Sequence, residues 1–275
     1  MIGTAETEGL LGPSNVRARP AQQLWVLIVR SLTKIVRNGE ILFAFISPLM
    51  LAACFYLPLR SLVNEIGYDY AQFLMPIIML QSVSFVASGA AMRSAIDGQE
   101  GVHARFRVLP MPASIPLFAR TVTNCVMLLV AMGCGLAVCM LIGWRPLSPE
   151  EDDGAGWSGA LIALAVVLVF GLLLALCADA IGLVARTPEA TSQLIAFPTL
   201  ILGMLSTGFI PLMAFPEWIH GFVKNQPISQ LVRVMNRAQE GTLTWQIFAP
   251  TFYWSLGLLA LAGALFAIYV RRAAR

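Results

Sequence analysis

An all-α, polytopic membrane protein is the fold class this sequence predicts, on three observations. Hydrophobic residues fill 58% of its 275 positions and charged residues only 12%, with a mean hydropathy of +0.76, which is not the composition of a water-soluble domain. Windows of roughly 20 apolar residues recur about six times, each long enough to cross a bilayer as a helix. Between them the sequence holds short polar segments whose apolar residues return at helical spacing, so those segments lie along the membrane or on its surface.

Taken in order, residues 1–21 are polar and bear Gly and Pro with no apolar core, and predict a disordered cytoplasmic tail; residues 22–275 form one transmembrane domain. From Gln22 to Val36 the positions Leu24, Leu27, Ile28, Leu32, Ile35 and Val36 repeat with helical period beside Arg30, Lys34 and Arg37, predicting an amphipathic surface helix. Asn38-Gly39 turns the chain into the bilayer. Spans are expected at Glu40–Leu59, Tyr70–Met92, Pro116–Gly143, Trp157–Ala185, Thr191–Ile210 and Phe248–Val270. Lys and Arg crowd into the tail and the loops on one side, including Arg93, Arg105, Arg107, Arg186 and Arg271, which makes that side cytoplasmic with both termini inside. The acidic run Glu150, Glu151, Asp152, Asp153 then falls in an outer loop between Trp144 and Trp157, whose indoles fit an interfacial belt. Carboxylates in a row lack the alternation of a calcium loop.

Two segments neither span nor resemble a soluble domain. From Arg93 to Pro116, Asp97 and Glu100 precede Arg105 and Arg107, which suits a helix dipole, and Val102, Phe106 and Leu109 make one apolar edge before Pro110 and Pro112 stop the helix. This is either a solvated loop or a docking helix on the cytoplasmic side. From Thr207 to Thr242, Gly208, Pro211 and Pro216 break the chain, Trp218, Ile219, Phe222 and Val223 form a short apolar face, and Ile228, Leu231, Val232 and Met235 line a second amphipathic helix.

Other chemistry has little support. Cys54, Cys125, Cys134, Cys139 and Cys177 sit in apolar runs at no metal-ligand spacing, and His103 and His220 fall on opposite sides of the membrane. The basic residues are dispersed, so nucleic acid is not an expected partner. The only lysines, Lys34 and Lys224, follow Thr33 and Val223, whereas a phosphate-binding P-loop needs Gly directly before Lys. Asp179 is the one carboxylate well inside a span, and Arg120 lies at comparable depth from the cytoplasmic side. They read as an intramembrane ion pair; the alternative is a proton-carrying Asp179 in an ion-coupled transporter or channel. A membrane-embedded transferase is a further, weaker alternative.

The charged finger ending in Leu109-Pro110-Met111-Pro112, the span order, and the outer elements Gly208 to Pro211, Phe215 to Trp218 and Asn225 to Ser229 together resemble the ABC-2 type transporter permeases, in their daunorubicin-resistance branch of drug and lipid exporters. The resemblance runs from about Gln22 onward. It implies a plasma-membrane permease subunit without its own nucleotide site, moving a lipid or a drug-like polyketide outward. It implies separate ABC ATPase subunits carrying ATP and magnesium, and a second permease subunit. It makes the finger a cytoplasmic coupling helix, with Asp97, Glu100, Gly101, Val102, Arg105, Phe106 and Arg107 facing the ATPase, and the helix from Gln22 a connecting helix that also touches it. The Thr207–Thr242 segment becomes an extracellular re-entrant hairpin, with Phe209, Pro211, Pro216 and Trp218 as gate residues. The substrate path falls to the second and fifth spans, where Met75, Met79, Ser82, Phe85, Leu200, Met204 and Thr207 either line a cavity or simply pack.

Overall fold

The computed structural model describes residues 19–65, 70–102, 114–147, 154–185, 187–209 and 212–273. Arg105, Phe106, Arg107, Pro211, Arg186, the acidic run and the first 18 residues lie outside these segments. Among the described residues there are nine α-helices and no strands: α1 (Pro20–Arg37), α2 (Glu40–Glu65), α3 (Tyr70–Gln99), α4 (Ser114–Leu141), α5 (Gly156–Val184), α6 (Pro188–Met204), α7 (His220–Asn225), α8 (Pro227–Gln239) and α9 (Trp245–Ala273). Two short 3-10 turns, Leu212–Ala214 and Glu217–Ile219, lead into α7.

The chain chemistry explains the ends of α1. Pro20 occupies its first position, where no backbone donor is required, the Gln22 side chain accepts a hydrogen bond from the Arg19 N–H at 3.2 Å, and Lys34 and Arg37 sit in the last turn, where the dipole favours them. Gly39, at φ 73°, turns the chain from α1 into α2.

Five helices, α2, α3, α4, α5 and α9, are long and apolar enough to cross a membrane. The fifth expected span is shorter than its apolar run implied: α6 has 17 residues and stops at Met204 instead of Ile210, because Leu205, Ser206 and Thr207 form a turn. At about 1.5 Å per residue it reaches roughly 25 Å, the lower edge of a span. In contrast α3 continues through Arg93 and Asp97 to Gln99, past the expected end at Met92. Asp97 therefore belongs to a long membrane helix and does not open a separate finger.

α3 is the axis of the bundle. It packs against α2, α4, α5 and α6, and 67% of its most apolar window is buried, against 6% for α9. Met75, Met79, Val83, Val86, Met127, Leu128, Ala163 and Val167 form the main core between α3, α4 and α5. Toward the C-terminal end of α3 the contact narrows to Ala87, Ala90, Ala91, Ala175 and Ala178, and small residues let the helix backbones approach where lipid supplies no hydrophobic drive. A Cβ at Gly182 would meet the Ala91 carbonyl oxygen and come 2.6 Å from Ser94 Cβ. Trp144 departs from the expected interfacial belt: it is buried in the core, while Trp157 is exposed.

Candidate functional site

At the end of α3 that carries Ser94, its approach to α5 brings charged groups of five helices together. Ser94 Oγ donates to the Asp179 carbonyl oxygen at 2.9 Å, and Arg120 on α4 donates to Ser94 Oγ at 2.7 Å. The same guanidinium reaches Asp97 Oδ2 at 2.7 Å and Asp179 Oδ1 at 3.4 Å. Arg93, one turn before Asp97, pairs with Glu40 at the start of α2 and donates to Asn124 Oδ1 at 3.0 Å. Lys34 of α1 closes the set, 3.8 Å from Asp97 Oδ1 and 3.6 Å from Glu100 Oε2. A pocket of about 50 Å³ lies among Lys34, Arg93, Asp97, Arg120, Asn124 and Asp179. Asp179 Oδ2 and Asn124 Nδ2 are buried without a partner, and the pocket is large enough for a water to bridge such groups.

The depth of the network follows from helix length. α3 has 30 residues, or about 45 Å, against a hydrocarbon core of about 30 Å, so its last turns reach the headgroup layer. Arg120, near the start of α4, and Asp179, near the end of α5, lie level with them. The depth reading placed Arg120 beside Asp179, and the structure puts Asp97 closer to it. Asp97 and Glu100, assigned to a partner surface, are engaged within the chain. Gly101 follows at φ 67° and Val102 is buried beside Lys34, Pro116 and Arg120. Lys34, Glu40, Arg93 and Asn124 were not anticipated as members; their signal was polar residues at the rims of apolar windows, but pairing depends on helix rotation.

At the other end, the hairpin is tied to the break after α6. Gln226 Nε2 donates to the Leu205 carbonyl at 2.6 Å and to Ser229 Oγ at 3.1 Å, and Ser229 Oγ accepts the Thr207 N–H at 3.2 Å. Backbone groups freed by the turn are thus satisfied inside protein, as a membrane demands. Gly208 is required for contact: a Cβ there would stand 2.8 Å from Ile77 and 3.0 Å from Val232. α8 buries Ile228, Leu231, Val232 and Met235 against the bundle. Pro216 and Trp218 are exposed, Trp218 by 83%.

Below this hairpin a groove of about 50 Å³ lies between α2, α3 and α6. Leu51, Phe55, Ile77, Leu80, Leu200 and Met204 give it apolar walls, Gln81, Ser84 and Thr199 its polar atoms, and Phe209 closes one end edge-on to Phe55 at 4.5 Å between centroids. Leu200, Met204 and Phe209 are on this groove, whereas Met75, Met79 and Ser82 are buried between helices of the chain itself and Phe85 packs against that core. Thr207 is held by Ser229. The face of α3 toward the groove is the one carrying Ile77, Gln81 and Ser84, a rotation that an apolar run buried nearly all round does not reveal.

Residues 22–239 match the family model for the ABC-2 type transporter. The chain belongs to the ABC-2 type transporter family. Its curated relatives include the doxorubicin resistance ABC transporter permease protein DrrB of Mycobacterium tuberculosis, 34% identical over 89% of this chain and 87% of that protein. The daunorubicin resistance ABC transporter permease protein DrrB1 of Streptomyces coeruleorubidus is 26% identical over 73% of this chain and 66% of that one. The probable doxorubicin resistance ABC transporter permease protein DrrC of Mycobacterium tuberculosis is 23% identical over 99% of both. This ABC-2 chain is therefore a multi-pass membrane permease subunit, a transport component. Its charged network lies at the end of α3 that leads into the segment resembling a coupling helix.

Proposed function

We propose that this permease exports a hydrophobic or amphipathic molecule, of the drug-like polyketide or lipid class, across the plasma membrane, powered by separate ATPase subunits that hold ATP and magnesium. The observation that carries this reading is the 34% identity, over nearly the whole chain, to a permease named for doxorubicin resistance. Residues 22–275 act as one transmembrane domain with both termini in the cytoplasm, and a second permease subunit completes the path. The groove beside Leu200, Met204 and Phe209 is too small alone for a drug-sized molecule, which takes roughly 300 Å³ or more, so it must open or be completed by the second copy.

Coupling enters through the segment after Gly101. Arg105, Phe106 and Arg107 meet the ATPase, while Val102, buried beside Lys34 and Arg120, joins Asp97 and Glu100 in passing its displacement to α1, α4 and α5. Phe209, Pro211, Pro216 and Trp218 form the outer gate.

The test is purification of the tagged chain with its ATPase, followed by reconstitution. An ATPase of separate sequence is expected to co-purify, and doxorubicin accumulation in inverted vesicles to require ATP. Burying Phe106 in a groove of the partner contributes about 1.5–3 kcal/mol, so Phe106→Ala is expected to abolish drug-stimulated hydrolysis while expression stays normal. Accumulation driven by an ion gradient without ATP would overturn the reading in favour of a secondary carrier.

A further inference from the structure

α1 divides into three sectors, two of which its packing within the chain does not account for. One sector, with Ile28 and Ile35, is buried against the bundle, chiefly against α4. A second carries Trp25, Val29 and Val36, all exposed, Trp25 by 67%. At about 100° per residue these three fall within roughly 40° of one another. The third carries Arg30 and Arg37, both exposed and roughly 20° apart, joined to the apolar stripe by exposed Val26, while Arg19, also exposed, stands at the N-cap. The helix PAQQLWVLIVRSLTKIVR contains no carboxylate, and its Lys34 is turned toward Asp97 and Glu100. Arg30 and Arg37 are thus cations with no acid on their own helix, bordering apolar side chains that face away from the protein.

We propose that this outer side of α1 binds anionic phosphate headgroups of membrane lipids, the arginines on the phosphates and Trp25, Val29 and Val36 among the first acyl methylenes. Charge complementarity selects the occupant: exposed arginines without an ion pair among the described residues, next to an apolar stripe, match the layered chemistry of a lipid surface, where headgroup charge lies directly over hydrocarbon. The helix lies at the depth that this requires, because Lys34 pairs with the end of α3, which extends past the hydrocarbon core. Each basic side chain near an anionic surface enriches it about fivefold at low salt. Because Lys34 holds Asp97 and Glu100, the lipid charge under α1 is mechanically joined to the end of α3. The inference rests on the membrane setting of the chain and is independent of which ATPase drives it.

The test needs no ATPase. The full chain is reconstituted in vesicles of phosphatidylcholine with an equal fraction of either brominated phosphatidylglycerol or brominated phosphatidylcholine. The quenching lost in Trp25→Phe isolates the indole of Trp25. Stronger quenching by the anionic lipid is expected, falling toward parity in Arg30→Gln/Arg37→Gln and at high salt, and retained in Arg30→Lys/Arg37→Lys. Equal quenching by both lipids in the unmodified chain overturns the proposal. So does an anionic preference that survives loss of the arginines. Absence of quenching by either lipid also overturns it, since the stripe would then face protein, as an ATPase-docking helix does.

Discussion

Arg120 holds two carboxylates at once, and this decides what its loss does. Asp97 keeps Lys34 as a second partner, but Asp179, with 4% of its side chain exposed, has no other ion pair among the described residues. Removing one partner of a buried pair costs about 3–5 kcal/mol because the remaining charge is left uncompensated. Arg120→Met is expected to reduce the folded, monodisperse protein recovered from membranes severalfold, and Arg120→Met/Asp179→Asn to restore most of it. Exchanging the two residues should fail, since an aspartate at position 120 would face Asp97. Size-exclusion profiles in mild detergent decide among these outcomes; normal recovery of Arg120→Met would remove the pair from the account of stability. The nearness of Arg120 and Asp179 was legible because each is the single charge at its depth on an apolar helix. The role of Asp97 was hidden, since the sequence gives no sign that α3 stays helical past Met92.

Helices meet here by omission of side chains as much as by apolar fill. α3 and α5 touch through alanines, and Gly182 lies against the backbone of Ala91, where no flexible side chain can yield. Gly182→Ala is expected to force the two helices apart at the level of the network, at a cost of about 1–3 kcal/mol, and to lower the thermal midpoint in detergent. Gly203→Ala, on α6 with nothing within 4 Å of the added Cβ, is the control and should be neutral or slightly stabilising. Equal midpoints for the two variants would show that the contact at Gly182 is not tight. At this scale the sequence was most informative for helices with a period: α8 has its four expected apolar residues buried, and α1 turns Ile28 and Ile35 inward although Val36 of the same expected face is exposed. It was least informative where helices are apolar on every side. There the run of residues fixes that a helix exists but not which face turns inward, so Met75 and Met79 stay open between path and packing until the structure places them in the core. The length of α6 was overestimated because Leu205 and Phe209 continue the apolar run through a turn held by Ser229 and Gln226.

Across the whole molecule the apolar surface left uncovered is unevenly matched to lipid. α9, at 29 residues, spans the hydrocarbon with length to spare, so its exposed Leu256 and Leu259 are satisfied by acyl chains. α6 is different. It exposes Leu194, Phe197, Leu200, Ile201 and Met204 in one stripe, yet reaches only about 25 Å against a core of about 30 Å. A helix shorter than the bilayer relieves the mismatch by thinning the lipid or by associating with protein. The same stripe borders the groove that holds Gln81, Ser84 and Phe209, polar and aromatic groups of the kind a permeating amphiphile would meet. For the second permease subunit proposed above, both considerations favour α6 and leave α9 to lipid. With the five native cysteines replaced, Leu200→Cys treated with a short bismaleimide in native membranes is expected to give a band of twice the chain mass in high yield. Leu256→Cys should give little. Dimer formation through Leu256→Cys but not Leu200→Cys would place the partner on the opposite side, and the groove beside α6 would then open to lipid instead of to a shared path.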